Sequence, residues 1–105
     1  MDKMVLVYIT CKNNSQAKKI ALHLLKKRFI ECANIIPKIE SLYWWNKKIK
    51  KSFEALLLCK TFKAKISAVK KEVKKLHSYK VPCIEFFEVF DQNKEYLDWL
   101  KKELK

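Results

Sequence analysis

The chain has 105 residues, half of them hydrophobic, a composition that suits one domain spanning residues 1–105 with a core of its own. No run of about 18 apolar residues is present, which argues against a membrane-spanning helix, and the apolar stretch at the N-terminus is too short for a signal peptide, so we expect a cytoplasmic protein. The net charge is +13, yet Arg28 is the only arginine; a solvated lysine surface that binds polyanions non-specifically at low salt is therefore expected.

The first two predicted elements are a strand and an amphipathic helix. Residues 4–10, MVLVYIT, form a nearly continuous apolar and β-branched run that is typical of a central strand. Asn13, Asn14 and Ser15 then offer N-cap oxygens. Apolar residues recur at helical spacing after them, with lysines on the other faces, which predicts a helix over residues 15–28.

A long β-hairpin is predicted next. Residues 32–45, CANIIPKIESLYWW, and residues 49–62 have the composition of two strands joined by a short turn, and Pro37 indicates a bend or an edge position. Both strands exceed the five or six residues typical of a small domain. The hairpin should therefore overhang its own core, and the aromatic residues at its tip, Trp44 and Trp45 among them, would need cover from elsewhere.

The remaining elements complete a known arrangement. Ile66, Val69, Val73 and Leu76 at helical spacing predict a helix over residues 63–77. A strand over residues 82–90 and a closing helix over residues 94–104 follow. The order β-α-β-β-α-β with a final helix predicts the α+β, ferredoxin-like fold, with an antiparallel sheet that carries two helices on one face. The other face needs cover or a ligand.

Five motifs, in this order, resemble the CutA family of divalent-cation tolerance proteins over essentially the whole chain. They are CANIIP at 32–37, SLYWW at 41–45, Glu54 with Lys60-Thr61, His77-x-Tyr79-x-x-Pro82, and YLDWL at 96–100. The resemblance implies a ferredoxin-like homotrimer in which the long hairpins of three subunits pair edge to edge. Trp44, Trp45 and Trp99 either join that interface or pack in the core of their own subunit.

The same resemblance implies binding of divalent metals, copper above all, in cation tolerance. It does not imply catalysis, and the residues agree. The sequence has no Ser/His/Asp set at a strand-to-helix turn, no P-loop and no paired carboxylates with an evident pocket. We therefore expect a protein that is not an enzyme.

Four residues are candidate metal ligands, because imidazole and thiolate suit copper and zinc: His77, Cys83, Cys32 and Cys11. His77 ends a helix, where it could instead bond the last carbonyls. Cys32 could instead be a small buried residue, which is the interpretation we favour, and Cys11 is expected as an exposed loop thiol. His23, within the lysine-rich first helix, is expected to be exposed.

The chain departs from the usual CutA pattern at two places. Family members commonly carry glutamate where this chain has Cys83. A thiol in place of this carboxylate should shift metal preference towards Cu(I) or Zn(II). Family members usually carry glycine where this chain has Lys47, in the hairpin turn after Asn46. A two-residue turn needs positive φ at both positions, which lysine does not favour. We therefore expect a longer or different turn.

Two other functions remain open. By resemblance, Lys60, Tyr79 and Glu54 line the same cleft between subunits, and a lysine there would attract small anions. A trimeric sensor or signalling protein that binds a small anion in these clefts is thus the alternative. An RNA reader of this fold would stack bases on aromatics of the central strands. Only Tyr8 and Phe53 are available there, so no specific nucleic-acid binding is expected.

Overall fold

The computed structural model describes residues 3–103 and shows an antiparallel sheet with helices on its two faces. The elements along the chain are β1 (Met4–Cys11), α1 (Asn14–Lys26), β2 (Cys32–Trp45), β3 (Lys48–Phe62), a 3₁₀ turn (Lys63–Lys65), α2 (Ile66–Leu76), β4 (Ile84–Glu88) and α3 (Lys94–Glu103). The strand order is β2-β3-β1-β4, and every neighbouring pair is antiparallel. The predicted ferredoxin-like fold is confirmed. No helix within the described residues is long and apolar enough to cross a membrane.

Side chains of the central strands alternate between the two faces of the sheet, as the period of two requires. Val7 and Ile9 of β1 lie with Leu57 of β3 in the fully buried core beneath α1 and α2. On the opposite face, α3 covers only one end, where Leu100 packs against Met4 and Phe62. The other end of this face, beyond α3, is the place where a ligand or a second chain can approach.

Helix α1 is fixed at both ends by local hydrogen bonds. The side chain of Asn13 accepts the N–H of Gln16 at 2.9 Å, which confirms a predicted cap. The helix ends earlier than residue 28 because Arg28 takes a left-handed φ of 59°. We had expected His23 to be exposed without a partner, but its Nε2 lies 2.9 Å from Oε1 of Glu72 on α2. Helical periodicity within α1 carries no information about this partner on another helix.

The hairpin of β2 and β3 extends beyond the rest of the sheet. Strand β1 pairs with β3 only over residues 55–62, so residues 48–54 pair with β2 alone. The molecule is accordingly elongated, 46 × 26 × 22 Å. Trp44 is 72% exposed and Trp45 is 56% exposed, so neither belongs to the core of its own chain. A register shift at Pro37 on the edge strand β2 matches the predicted bend.

The hairpin turn is tight, and our expectation of a longer turn was wrong. Trp45 pairs with Lys48, which leaves two turn residues, Asn46 with φ 48° and Lys47 with φ 63°. Positive φ at both positions is the primed geometry whose twist matches that of the flanking strands. The pairing of β2 with β3 along the whole hairpin thus outweighs the cost of about 1–2 kcal/mol for a left-handed backbone conformation at a non-glycine residue.

Replacing Lys47 by glycine is expected to raise the free energy of unfolding by about 1 kcal/mol, because glycine adopts positive φ without a Cβ clash. Guanidinium denaturation at a fixed protein concentration measures the change. The matched control is Asn46→Gly, which should gain less because asparagine already tolerates this conformation. Equal gains at the two positions, or a loss at Lys47, would contradict the turn geometry.

Candidate functional site

Four of the predicted site residues lie near the C-terminal end of β1: His77, Tyr79, Glu54 and Cys83. Thr10 and Cys11 pair with Leu56 and Ala55 of β3 on one side. On the other side Ile9 pairs with Ile84, the first residue of β4. The connection from α2 to β4, residues 77–83, therefore passes across the end of β1. We refer to the group formed by Thr10, Glu54, Tyr79, Cys83 and Glu85 at this place as the β1-end cluster.

His77 anchors the connection to β1. It is only 8% exposed, and its Nε2 lies 2.7 Å from the carbonyl oxygen of Thr10. Its Nδ1 lies 3.0 Å from the backbone nitrogen of Tyr79. Because that backbone N–H can only donate, Nδ1 is the acceptor and Nε2 carries the hydrogen that is donated to Thr10. Both ring nitrogens are thus in use, and His77 would ligate a metal only after giving up one of these bonds.

Tyr79 connects the same segment to β3. Its hydroxyl donates to Oε2 of Glu54 at 2.7 Å, and its ring centroid lies 4.8 Å from that of His77. Burial, together with the neighbouring Glu54 carboxylate, raises the pKa of the Tyr79 phenol. The phenol therefore stays protonated at neutral pH and holds the Glu54 carboxylate in a fixed orientation.

Cys83 lies beside the carboxylate of Glu85. Its thiol donates to Oε1 of Glu85 at 3.6 Å, and the side chain of Thr10 lies beside it. Burial raises the pKa of the Cys83 thiol, and the charges of Glu85 and then Glu54 raise it further. The thiol is therefore protonated at neutral pH in a negatively charged surrounding. A cation that replaced this proton would gain a thiolate and nearby carboxylate oxygens.

Glu85 and Thr10 are members of the cluster that sequence reasoning missed. A signal for Glu85 was present, because residues two apart on a strand share a face and Cys83 precedes it by two. Thr10 required the register between β1 and β4, which places Tyr8 opposite Glu85. No pattern within the strand itself specifies that register.

Cys11 does not form the exposed loop thiol that we had expected. Strand β1 extends one residue further than residue 10, and the side chain of Cys11 is fully buried in the core beneath the helices. Burial, and secondarily the charge of Glu54, raises the pKa of the Cys11 thiol to about 11. A protonated, enclosed thiol on this face is poorly placed to meet a metal.

Cys32 and Lys60 lie at the opposite end of the open face, under α3. The Lys60 ammonium donates to the hydroxyl of Tyr96 at 2.8 Å, and Cys32 Sγ lies 3.9 Å from the same oxygen. The hydrogen bond to Tyr96 raises the pKa of Lys60, which stays charged. Six residues separate Lys60 from Glu54 on β3, roughly 20 Å in a strand. One chain thus brings Tyr79 and Glu54 together and leaves Lys60 apart.

The described part of one chain alone has too few ligand side chains in one place to hold a metal ion. Within residues 3–103, no three His, Cys, Asp or Glu side chains come close enough to hold one ion. The β1-end cluster offers the Cys83 thiol and the Glu85 carboxylate near each other. It fits a soft or borderline metal in donor chemistry, and it needs a further ligand from outside the chain.

Comparison with known proteins gives a consistent family. The model of the family described as "CutA1 divalent ion tolerance protein" matches residues 5–103. The divalent-cation tolerance protein CutA of Archaeoglobus fulgidus is 40% identical over 94 residues, which are 90% of this chain and 91% of that protein. The chloroplastic protein CutA 1 of Oryza sativa subsp. japonica is 36% identical over 92% of this chain, and the chain spans only 55% of that longer protein. A solved structure, named as the periplasmic divalent cation tolerance protein CutA from Archaeoglobus fulgidus, superposes with a TM-score of 0.93 at 36% identity and covers 97% of this chain and 99% of that chain.

Proposed function

The chain belongs to the CutA1 divalent ion tolerance family, and from this premise we propose that it is a homotrimer that binds copper or zinc between its subunits without catalysing a reaction. Divalent-cation tolerance is what the family name and the archaeal relative have in common. The observation that carries the metal proposal is the protonated thiol of Cys83 hydrogen-bonded to the Glu85 carboxylate, at the end of the sheet that the chain itself leaves uncovered.

The overhanging hairpin supports the trimer. Its tip and flanks expose Leu42, Trp44, Trp45, Ile49 and Phe53, all more than half accessible. An isolated subunit with an apolar surface of this kind would aggregate or bind a partner. Strands β2 and β4 are the two edges of the sheet and have unpaired backbone groups. Hairpins that pair edge to edge around a threefold axis would both bury these apolar side chains and pair the edge backbone groups.

The same arrangement would complete the metal site. The β1-end cluster faces the uncovered side of the sheet, so a hairpin from the next subunit could approach it and add the missing donor. Cys83 and Glu85 are the residues that we assign as ligands in this chain. Thiolate favours Cu(I) and Zn(II) over oxygen-loving ions. His77 and Tyr79 position the segment that carries Cys83.

Native mass spectrometry under reducing conditions, with titration of Cu(I) and of Zn(II), tests the proposal. We expect a species near 38 kDa, three times the 12.6 kDa chain, that takes up metal in a fixed ratio. Cys83→Ser should abolish this stoichiometric uptake because it removes the thiolate. The matched control, Cys32→Ser, changes a thiol at the other end of the face and should keep it. Equal uptake by the wild type and Cys83→Ser would overturn the site.

Metal affinity should also rise with pH. The raised pKa of Cys83 means that metal must displace a proton from the thiol. Below the thiol pKa, each unit of pH gained should strengthen binding about tenfold for one proton released. Competition with a chelator of known affinity between pH 6 and 8 measures the slope. Any residual weak binding by Cys83→Ser should lack this slope, and an affinity independent of pH in the wild type would exclude the thiol as the ligand.

The sensor function keeps one specific observation in its favour. Lys60 stays charged beside Tyr96 and Cys32, and its ammonium provides a fixed positive group for a small anion. A trimer whose metal uptake is weak, non-stoichiometric and indifferent to Cys83→Ser would favour this function. For location we propose the cytoplasm, since all four cysteines are free thiols, as a reducing compartment maintains them.

A further inference from the structure

Basic and acidic residues are unevenly distributed along the chain. Residues 3–30 contain seven basic residues and no acidic one, and residues 55–71 contain five basic residues and no acidic one. Residues 85–103, by contrast, contain six acidic and three basic residues. The first two segments include α1 and the beginning of α2, whereas the third forms β4 and α3. Lys60 contacts Tyr96 of α3 and Lys63 pairs with Glu88 of β4, so the basic charge on the face that α3 does not cover comes from the exposed lysines of α1, its C-cap and α2.

The outer surface of α1 and α2, which we call the helical layer, presents this charge in an ordered way. On α1 and its C-cap, two lysine pairs lie eight residues apart, about 12 Å along the axis. On α2, two pairs lie four residues apart, about 6 Å. The exposed residues of these pairs are Lys18, Lys19, Lys26, Lys27, Lys70, Lys71, Lys74 and Lys75. The thirteen residues of α1 give the layer a length of about 20 Å.

The one acidic residue of the layer is already paired. Glu72 is 8% exposed, its Oε1 lies 2.9 Å from His23 Nε2, and its Oε2 lies 3.2 Å from Lys75 Nζ. The hydrogen bonds from His23 and Lys75 lower the pKa of Glu72, so the carboxylate is ionised and its charge is compensated by its neighbours. It therefore leaves little negative charge to repel an anionic partner of the layer.

We propose that the helical layer binds the phosphate backbone of nucleic acid without reading its sequence. Duplex DNA carries about one negative charge per 1.7 Å of axis with both strands counted, so a segment as long as the layer, about 20 Å, carries about twelve charges, part of which face the layer. Lysine binds phosphate as a point charge and has no planar fork for base edges. The mode differs from that of RNA readers of this fold, which use the sheet face, and it is independent of the proposed metal site.

The same surface is unsuited to a lipid bilayer. Helices that lie on membranes insert large apolar side chains between their basic residues. In α1 and α2 as the structure describes them, Leu22, 49% exposed, is the only large hydrophobic side chain of this kind. Electrostatic attraction without insertion favours a polymer of closely spaced phosphates over a vesicle surface.

Fluorescence anisotropy with a labelled, mixed-sequence 24-base-pair DNA duplex, at 150 mM KCl and from 50 to 300 mM, tests the proposal on the full chain. The test variant combines Lys26→Gln, Lys71→Gln and Lys74→Gln. We expect micromolar binding by the wild type and at least a tenfold loss in the test variant. The negative slope of log affinity against log salt should become shallower by about 0.9 for each phosphate that the variant no longer neutralises.

The control variant removes the three lysines of α3, with Lys94→Gln, Lys101→Gln and Lys102→Gln, so that the net charge changes by the same amount. We expect it to change the affinity less than threefold. Glutamine preserves helix propensity, and circular dichroism checks the fold of both variants. Equal losses of DNA affinity in the two variants would show that affinity depends only on the net charge of the chain, and would overturn the proposal. Absence of binding at 150 mM KCl, or tighter binding to phosphatidylserine vesicles than to the duplex, would also overturn it.

Discussion

If the chain forms the proposed trimer of about 38 kDa, the double replacement Trp44→Ala and Trp45→Ala is expected to convert it into the 12.6 kDa chain at micromolar concentration. Given their exposures of 72% and 56%, the two side chains together leave roughly 300 Å² of surface uncovered in one chain. At about 25 cal/mol per Å², burying that surface contributes about 7 kcal/mol per subunit before the costs of association. Sedimentation velocity over a range of protein concentrations measures the result.

A matched control distinguishes this interface from general loss of apolar surface. Leu22 on α1 is 49% exposed and lies on the helical layer, away from the hairpin. Leu22→Ala should therefore leave the proposed trimer intact. A trimer that persists in the double tryptophan variant would show that the tip lies outside the interface, and the hairpin overhang would then need another explanation.

The overhang itself could be predicted because strand length and core size are both visible in a sequence. Fourteen- and fifteen-residue strands in a small domain cannot be matched by partners of eight and five residues. The turn was harder to predict, because lysine at position 47 disfavours positive φ, whereas the twelve cross-strand pairs of the hairpin require it. Where local propensity and long-range pairing conflict, the pairing wins, and a sequence pattern does not show by how much.

The site was predictable only in part, for geometric reasons. Motif resemblance grouped Tyr79 with Glu54, and the structure places them in a 2.7 Å hydrogen bond. It also grouped Lys60, which shares their face of the sheet but lies six residues further along β3. The sheet face on which Glu54 and Lys60 lie can be predicted from the period of two along β3. Which residues of different subunits share a cleft can be predicted only when the assembly is known. Cys11 shows how sharp this limit is: one further residue of strand carries a side chain to the opposite face.

Replacing His77 by alanine is expected to lower the free energy of unfolding by about 3 kcal/mol. The change leaves the Thr10 carbonyl and the Tyr79 N–H without their partners in a place that is 8% exposed, at about 1–1.5 kcal/mol for each hydrogen bond, and it adds a cavity. Guanidinium denaturation at a fixed subunit concentration measures the loss. Tyr79 would also lose the ring beside it, so the orientation of Glu54 should become less well fixed.

His23→Ala is the matched control, because it removes the other imidazole of the chain from a site that is about one-third exposed. Solvent screens that pair, so the loss of stability should be clearly smaller. Metal uptake then separates two roles for His77. If His77 positions the Cys83 segment, the folded variant keeps a fixed metal ratio with weaker affinity. If His77→Ala leaves stability almost unchanged and abolishes uptake, His77 is itself a ligand, and the two hydrogen bonds that occupy its ring nitrogens give way to the metal.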